Sequence, residues 1–403
     1  MTASRSVIVA GAGIGGLTAA LALARSGFRV TVLEQAERFS ETGAGIQLSP
    51  NATRCLIDLG VGERLRPHVS APVALRVLAG RTGREIVRMP LGETADRYGA
   101  PYWIIHRGDL QAVLVAAVAQ ERDVSLKLGM RVEDFATHSH GVTVSASGPG
   151  GVWHERGRAL IAADGLWSQA RARIGFKEPP HFAGRTAWRA LLPAGDVPPE
   201  WREPLVHLWL GRDAHLVQYP VKAGTMINVV VITTDDWNAP GWSAPASRID
   251  LLPRLPAERW APQARALVRE PETWLKWALY DYRPLSNFSY GAAALIGDAA
   301  HPMLPFLAQG AAMAIEDAVV AARCLARMPD DAAAALKSYS AARRARTRRV
   351  QRLAAKNGAR YHLGVVPAML RNAAMRAMGG TWLLQHYDWL YDWQPPAEHL
   401  SSN

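Results

Sequence analysis

The 403-residue chain is 49% hydrophobic and 20% charged, a balance that excludes a disordered protein and gives enough apolar mass for two or three lobes. Its net charge of +11 invites a nucleic-acid partner, but no zinc-ligand spacing or RNA-binding signature accompanies it, so no nucleic acid and no metal are expected. The longest mainly apolar run, Leu110 to Ala119, falls short of the roughly 20 residues of a spanning helix, no signal-type stretch opens the chain, and its two cysteines suit a reducing compartment, so a cytoplasmic protein without a transmembrane segment is expected.

Val7-Ile8-Val9-Ala10 reads as a buried strand and is followed at once by Gly11-Ala12-Gly13-Ile14-Gly15-Gly16. An alanine- and leucine-rich helix then runs to Arg25 and stops at Gly27, and Arg29 to Glu34 is a second strand. In such a unit Gly11 permits the tight turn, Gly13 lets the backbone approach a pyrophosphate, and Gly16 lets helix and strand pack closely. The N-terminus of the helix offers N–H groups to the phosphates, and Glu34 ends the second strand where a carboxylate can hold a ribose hydroxyl. The motif predicts dinucleotide binding without separating FAD from NAD.

Further along, helices are expected near 51–59 and 107–120, hairpin-like alternation at 141–145, and a buried strand at 159–163 that runs into Asp164-Gly165. Longer strands at 186–192, 205–210, 216–219 and 226–233 predict an antiparallel sheet in a second lobe. Residues 236–260, rich in tryptophan and proline, read as an irregular crossing. A short strand at 292–296 leads into Gly297-Asp298, and from Ala311 the chain is mostly helical, ending in a tail with Trp382, Trp389, Tyr391 and Trp393. The arginine run from 343 to 352 wraps around its helix; a solvated face or a subunit contact in a homodimer is expected of it, and, with the tail, contact with a membrane surface is an alternative. Cys55 and Cys324 are expected as buried free thiols.

Residues 162–168 with Arg171, and residues 294–302, resemble the Asp-Gly and Gly-Asp motifs of the single-component flavoprotein aromatic hydroxylases, the p-hydroxybenzoate-hydroxylase-like superfamily. Residues 43–51 and 308–318 carry a closer likeness to the salicylate hydroxylase, 3-hydroxybenzoate 6-hydroxylase and 6-hydroxynicotinate monooxygenase branches. The resemblance implies an α/β fold: a Rossmann-like FAD-binding domain (1–75, 100–180, 288–330), an interleaved antiparallel-sheet substrate domain (76–99, 181–287) and a C-terminal helical region (331–403). It implies bound FAD, with NADH or NADPH as a transient co-substrate, in keeping with the lack of a second glycine fingerprint.

For the cofactor, the resemblance puts Arg107, with Gln111 one turn on, at the phosphates, Asp164 near the pyrophosphate, Asp298 on the ribityl hydroxyls, and the N–H groups of Gly310, Ala311 and Ala312 at the flavin N1/O2 edge. The implied reaction is hydroxylation of a small, carboxylated phenol or hydroxypyridine by O2 through a flavin C4a-hydroperoxide. His215 would take the phenolic proton, Tyr219 would bind a substrate carboxylate or hydroxyl, and the Pro305 carbonyl would face the flavin. Gln47 stands where the 6-hydroxynicotinate enzymes have a histidine, and can orient a substrate without acting as a base. Pro305 stands where the 3-hydroxybenzoate branch has a glutamine, which leaves the substrate open. His106 and His301 are expected to be structural. Two rival readings are a flavin-dependent dehydrogenase or reductase without oxygen insertion and a non-turnover flavin-binding redox sensor.

Overall fold

The structure, a computed structural model, describes residues 5–39, 44–239 and 243–396. Three remote stretches of sequence assemble the first sheet. Ser6–Ala10 pairs in parallel with Arg29–Leu33 on one side and Ala159–Ala162 on the other; Val124–Lys127 and Ala293–Leu295 extend it, and Ser289–Tyr290 closes one edge antiparallel. Its central strands, Ser6–Ala10 and Ala159–Ala162, are apolar on both faces because both are covered. One face packs on the helix Ile14–Arg25, which lies against Gly310–Arg327 with the Gly15 backbone close to Ala314. Against the other, Val142, Val144 and Ala146 of a three-stranded meander cover Ile8, Ala10 and Leu160.

The second sheet has eight strands, in the order Ala244–Ser247, Thr273–Asp281, His181–Pro193, Met226–Thr234, Ala214–Val221, Leu205–Leu210, Ala74–Ala79 and Glu85–Pro90. Every neighbouring pair is antiparallel except Leu205–Leu210 with Ala74–Ala79, which is parallel, so the expected antiparallel sheet is mixed at one end. Its outer face buries Trp188, Trp209, Leu216 and Val229 against Trp260, Leu251 and Ala264. The segment expected as irregular thus supplies a strand and a short helix, Arg248–Leu251, closed by a Ser247–Asp250 capping box. Period-two alternation turns His215, Val217 and Tyr219 to the opposite, inner face.

The helix Ala332–Tyr361 spans both lobes, and Val365–Met378 and Gly380–Gln385 lie on the Glu85–Pro90 strand. The arginine run divides: Arg344, Arg349 and Arg352 are exposed, as expected of a solvated face, while Arg343 and Arg346 turn inward. Arg343 is 1% exposed and bonds Asp317 and Glu316, Arg346 bonds Glu316, and the Arg349 guanidinium sits 3.6 Å from the Trp389 ring centroid. Buried Glu316 and Asp317 need partners, and the run supplies them. Cys55 and Cys324 are buried free thiols. No helix among the described residues is long and apolar enough to cross a membrane.

Candidate active site

The glycine loop borders open space where a large anion can lie. Gly11 holds φ at +97°, and an added Cβ would press to 2.6 Å from the Ala163 carbonyl. A Cβ on Gly16 would collide with the Gly11 carbonyl, so only glycine lets the helix start this close to the strand. At Gly13, Gly165 and Gly310 an added Cβ meets nothing within 4 Å. No side chain caps the helices that begin at Ile14 and Gly310, and neither has an acid in its first turn. Their leading N–H groups, including those of Gly310, Ala311 and Ala312, therefore favour an anionic or electron-rich partner.

The other cofactor-side residues gather on this opening. Glu34 Oε2 accepts from Ala12 N at 2.6 Å and Oε1 from Ala36 N at 2.9 Å, while Gln111 Nε2 donates to the Ala12 carbonyl at 2.9 Å. One Asp164 oxygen accepts from Ala170 N at 3.1 Å; the other is buried without a partner, and burial raises the carboxyl above its ordinary range. Asp298 is exposed by area yet crowded by protein, as befits a group lining a cleft; burial raises its carboxyl, opposed by His301 and Arg107. The Arg107 backbone donates to the Ala44 carbonyl.

Behind Asp298 lies a buried network. Asp317 accepts from Gly297 N at 2.9 Å and from Arg343 Nε at 2.6 Å, and its Oδ2 lies 2.5 Å from His301 Nε2. Gly297 itself turns with φ at +58°. His301 thus sits in the structural position expected of it, and His106 is buried beside Asp109. Asn51 bonds Glu316 and Gln309, and Gln309 donates to Ser49 Oγ at 2.8 Å, tying the Gly310 helix to residues 49–51.

The residues expected to meet the substrate lie on the inner sheet face and the strand that crosses it. Of the stretch 43–51, Gly43 lies outside the described residues; Gly45–Leu48 pairs with Trp103–His106 and rides directly on Tyr219. The Tyr219 hydroxyl donates to the Gly45 carbonyl at 2.8 Å, Asn228 Oδ1 accepts from Gly45 N at 2.9 Å, and Gln47 Oε1 accepts from the Tyr102 hydroxyl at 2.7 Å. Burial pushes the Tyr219 hydroxyl up to about 12, opposed by Arg189 and Gln47. The one proton of Tyr219 is given to the Gly45 carbonyl, so within the protein its hydroxyl oxygen is left with acceptor capacity only.

His215 is 2% exposed, against the rings of Phe306 and Tyr361 at 5.4 and 5.3 Å, and its Nδ1 lies 2.8 Å from His362 Nε2. Burial, then His362 and Arg185, hold it well below its ordinary proton affinity. The expected proton acceptor is therefore a neutral, weakly basic ring at neutral pH. Pro305 opens a single 3-10 turn whose Phe306 carbonyl accepts from Tyr361 Oη at 3.2 Å and Asn357 Nδ2 at 3.3 Å; the Pro305 carbonyl accepts from Ala308 N at 3.2 Å, and Ala308 is held at φ +52°.

Residues 4–354 match a family model described as an FAD binding domain. The chain is 37% identical over 392 residues to 3-hydroxybenzoate 6-hydroxylase 1 of Aquipseudomonas alcaligenes, covering 96% of this chain and 97% of that protein. It belongs to the FAD-dependent aromatic hydroxylases. Among solved structures, Klebsiella pneumoniae HpxO complexed with FAD and uric acid is 27% identical with a TM-score of 0.83, over 95% of each chain. A salicylate hydroxylase substrate complex is 25% identical with a TM-score of 0.80, over 98% of this chain and 97% of that one.

Sequence reasoning about this hydroxylase missed three residues beside His215 and Tyr219. Arg189 shares the inner face with His215 and Tyr219, its guanidinium 4.8 Å from the Trp277 centroid and its buried Nε without a partner. Its signal was legible: an arginine in an otherwise apolar strand at the period that faces the site. Arg185 carries the same strand signal four residues earlier, whereas His362 gave none, because it lies 147 residues from His215 and leaves the end of another helix. The residues around this opening fit FAD: bare glycine backbones, two uncapped helix starts, an unpaired carboxylate oxygen and a half-buried arginine are donors and acceptors suited to a pyrophosphate, sugar hydroxyls and a ring edge.

Proposed function

We propose that this hydroxylase inserts oxygen into a small phenol or hydroxypyridine bearing a carboxylate, at the expense of NADH or NADPH. The observation behind this reading is Arg189. Among the described residues no carboxylate pairs with it, and a buried guanidinium with an unpartnered Nε costs free energy that a ligand anion offsets.

The proposed holder of FAD is the set Gly11, Gly13, Gly15, Gly16, Glu34, Arg107, Gln111, Asp164, Asp298 and the N–H groups of Gly310, Ala311 and Ala312. When bound, FAD accepts a hydride from the nicotinamide and supplies the activated oxygen atom. The chain's own residues act on the substrate. Arg189 receives the carboxylate, Gln47 and Tyr219 orient the ring, and His215, four residues from Tyr219 and so roughly 13 Å along the strand, meets the ring oxygen. Pro305 and Phe306 wall the site against water, held in place by Tyr361 and Asn357. The buried free thiols suit a cytoplasmic setting.

The test is FAD-loaded protein with NADH or NADPH and O2, given 3-hydroxybenzoate, salicylate, 6-hydroxynicotinate or plain phenol. The expected result is nucleotide oxidation stimulated by carboxylated rings, with a product one oxygen atom heavier. Equal stimulation by phenol, or no gain in product mass, would overturn the reading.

A further inference from the structure

His215 is the inner member of a chain of three. His362 Nε2 lies 2.8 Å from His215 Nδ1, and His362 Nδ1 lies 3.1 Å from Arg185 Nη1, which also donates to the Gly358 carbonyl at 3.0 Å. A guanidinium has donors only. His362 Nδ1 must therefore accept, and a neutral His362 carries its hydrogen on Nε2. That hydrogen meets His215 Nδ1, which must accept in turn, so a neutral His215 carries its hydrogen on Nε2. A second proton on His215 would set two donors against each other, either at His362 Nε2 or, if the hydrogen moved across, at Arg185.

We propose that Arg185, acting through His362, fixes His215 as an Nε2–H donor, so that the site receives the substrate's ring oxygen already ionised. The phenolic proton leaves to solvent on docking, and the phenolate accepts from Nε2–H. Arg185 and His362 are positioning residues in this scheme, which rests on the reading that His215 meets the ring oxygen. Burial, then Arg185 and Arg371, bring His362 to about 3, in keeping with two neutral rings. The other groups packed on His215 are the Phe306 and Tyr361 rings and its sheet neighbours Leu210 and Ile232. Of these only Tyr361 titrates; burial raises it, and it stays protonated.

The experiment uses FAD-loaded protein labelled with 15N-histidine, and 3-hydroxy-4-nitrobenzoate as a probe whose phenolate is coloured. Nitrogen spectra read which ring atom of His215 bears hydrogen, and difference absorbance against pH reads the ionisation of the bound probe. In the wild type, hydrogen on Nε2 and a probe that ionises at lower pH than in water are expected. Arg185→Leu should mix the two tautomers and weaken ionisation of the bound probe by about tenfold, the scale of one hydrogen bond to a charged group; Arg185→Lys, which keeps a donor, should restore both. Hydrogen on Nδ1 in the wild type, a measurement that needs no variant, overturns the inference, as does an Arg185→Leu protein that matches the wild type in both readouts. His215→Ala separates the two levels: a probe ionisation that it leaves unchanged removes His215 from the ring oxygen and takes the functional reading of that residue down with the inference. If His215→Ala shifts the probe and the Arg185 variants do not, only the inference falls.

Discussion

Replacing Arg189 by methionine keeps most of the aliphatic stem and removes the charge. If the guanidinium receives a carboxylate, one charge-assisted hydrogen bond is lost, about 1.5–3 kcal/mol, which lowers kcat/KM for 3-hydroxybenzoate by roughly 10- to 150-fold. For phenol, which has no carboxylate, the same change should leave kcat/KM near the wild-type value. Stability should move little, because no carboxylate among the described residues loses a partner and the buried Nε makes no hydrogen bond; the stacking on Trp277, about 0.5–1 kcal/mol, is set against relief of desolvation. Steady-state kinetics with the two substrates and a thermal melt of each FAD-loaded protein supply the comparison. An equal loss with both substrates, or a steep fall in Tm, would show that Arg189 holds the fold and does not read a carboxylate.

Asp298→Ala should yield a protein that loses FAD on gel filtration, read from flavin absorbance per mole of chain; a fully yellow, active variant contradicts the assignment of Asp298. Asp317→Ala leaves His301, Gly297 N and Arg343 Nε without their shared acceptor, and should cost on the order of 3 kcal/mol in urea unfolding; a loss below about 1 kcal/mol would mean that the network is not closely coupled to the fold. Burial, with Arg76 and Arg88, lowers His207 to about 4, and His362 lies near 3. Unfolded, both rings bind protons below about pH 6.5 and folded they do not, so stability falls as pH drops from 6.5 toward 4, by up to about 1.4 kcal/mol per pH unit for each ring. The urea midpoint should therefore be lower at pH 5 than at pH 7, and an unchanged slope in a His207→Gln, His362→Gln protein would rule these rings out as its source.

What local pattern can carry was legible in the sequence. The first strand, glycine loop and helix read correctly because apolar runs and glycine spacing are short-range signals, and the strands around His215 and Tyr219 read correctly because their alternation is local. The Ala74–Ala79 pairing, which makes the sheet mixed, was not legible, since no spacing rule says which distant strand will lie beside Leu205–Leu210. The inward part of the arginine run was not legible for a related reason: its acids, Glu316 and Asp317, sit in the preceding helix, and only tertiary packing brings them under Arg343 and Arg346. The two acids were themselves a clue, since carboxylates embedded in Ala314-Ile315-Glu316-Asp317-Ala318 must find cations when that helix is buried. On the inner sheet face the donor–acceptor polarity of His215 and Tyr219 could not be read, because it depends on partners contributed by His362 and Gly45.

Arg185 and Arg189 stand four residues apart on one strand and, by its alternation, turn to the same face. Among the described residues neither pairs with a carboxylate, and the two histidines next to Arg185 are neutral, so the protein gives this half of the site positive charge and no counter-ion. In a poorly solvated site such a field discriminates by charge before it discriminates by shape. A neutral aromatic ring gains only packing against Phe306, Trp277 and Val217. In the proposed reading, a ring that carries both a carboxylate and a phenolate gains one cation directly and the other through a relay of two imidazoles. The ionised ring is also the more nucleophilic one, so under that proposal the arrangement that selects the ligand also prepares it for attack by electrophilic oxygen, and no side chain has to change its protonation state in the step. The cost appears in folding: two half-buried guanidiniums and two undercharged histidines are held only because the sheet and the Ala332–Tyr361 helix bury enough apolar surface around them to over-determine their positions.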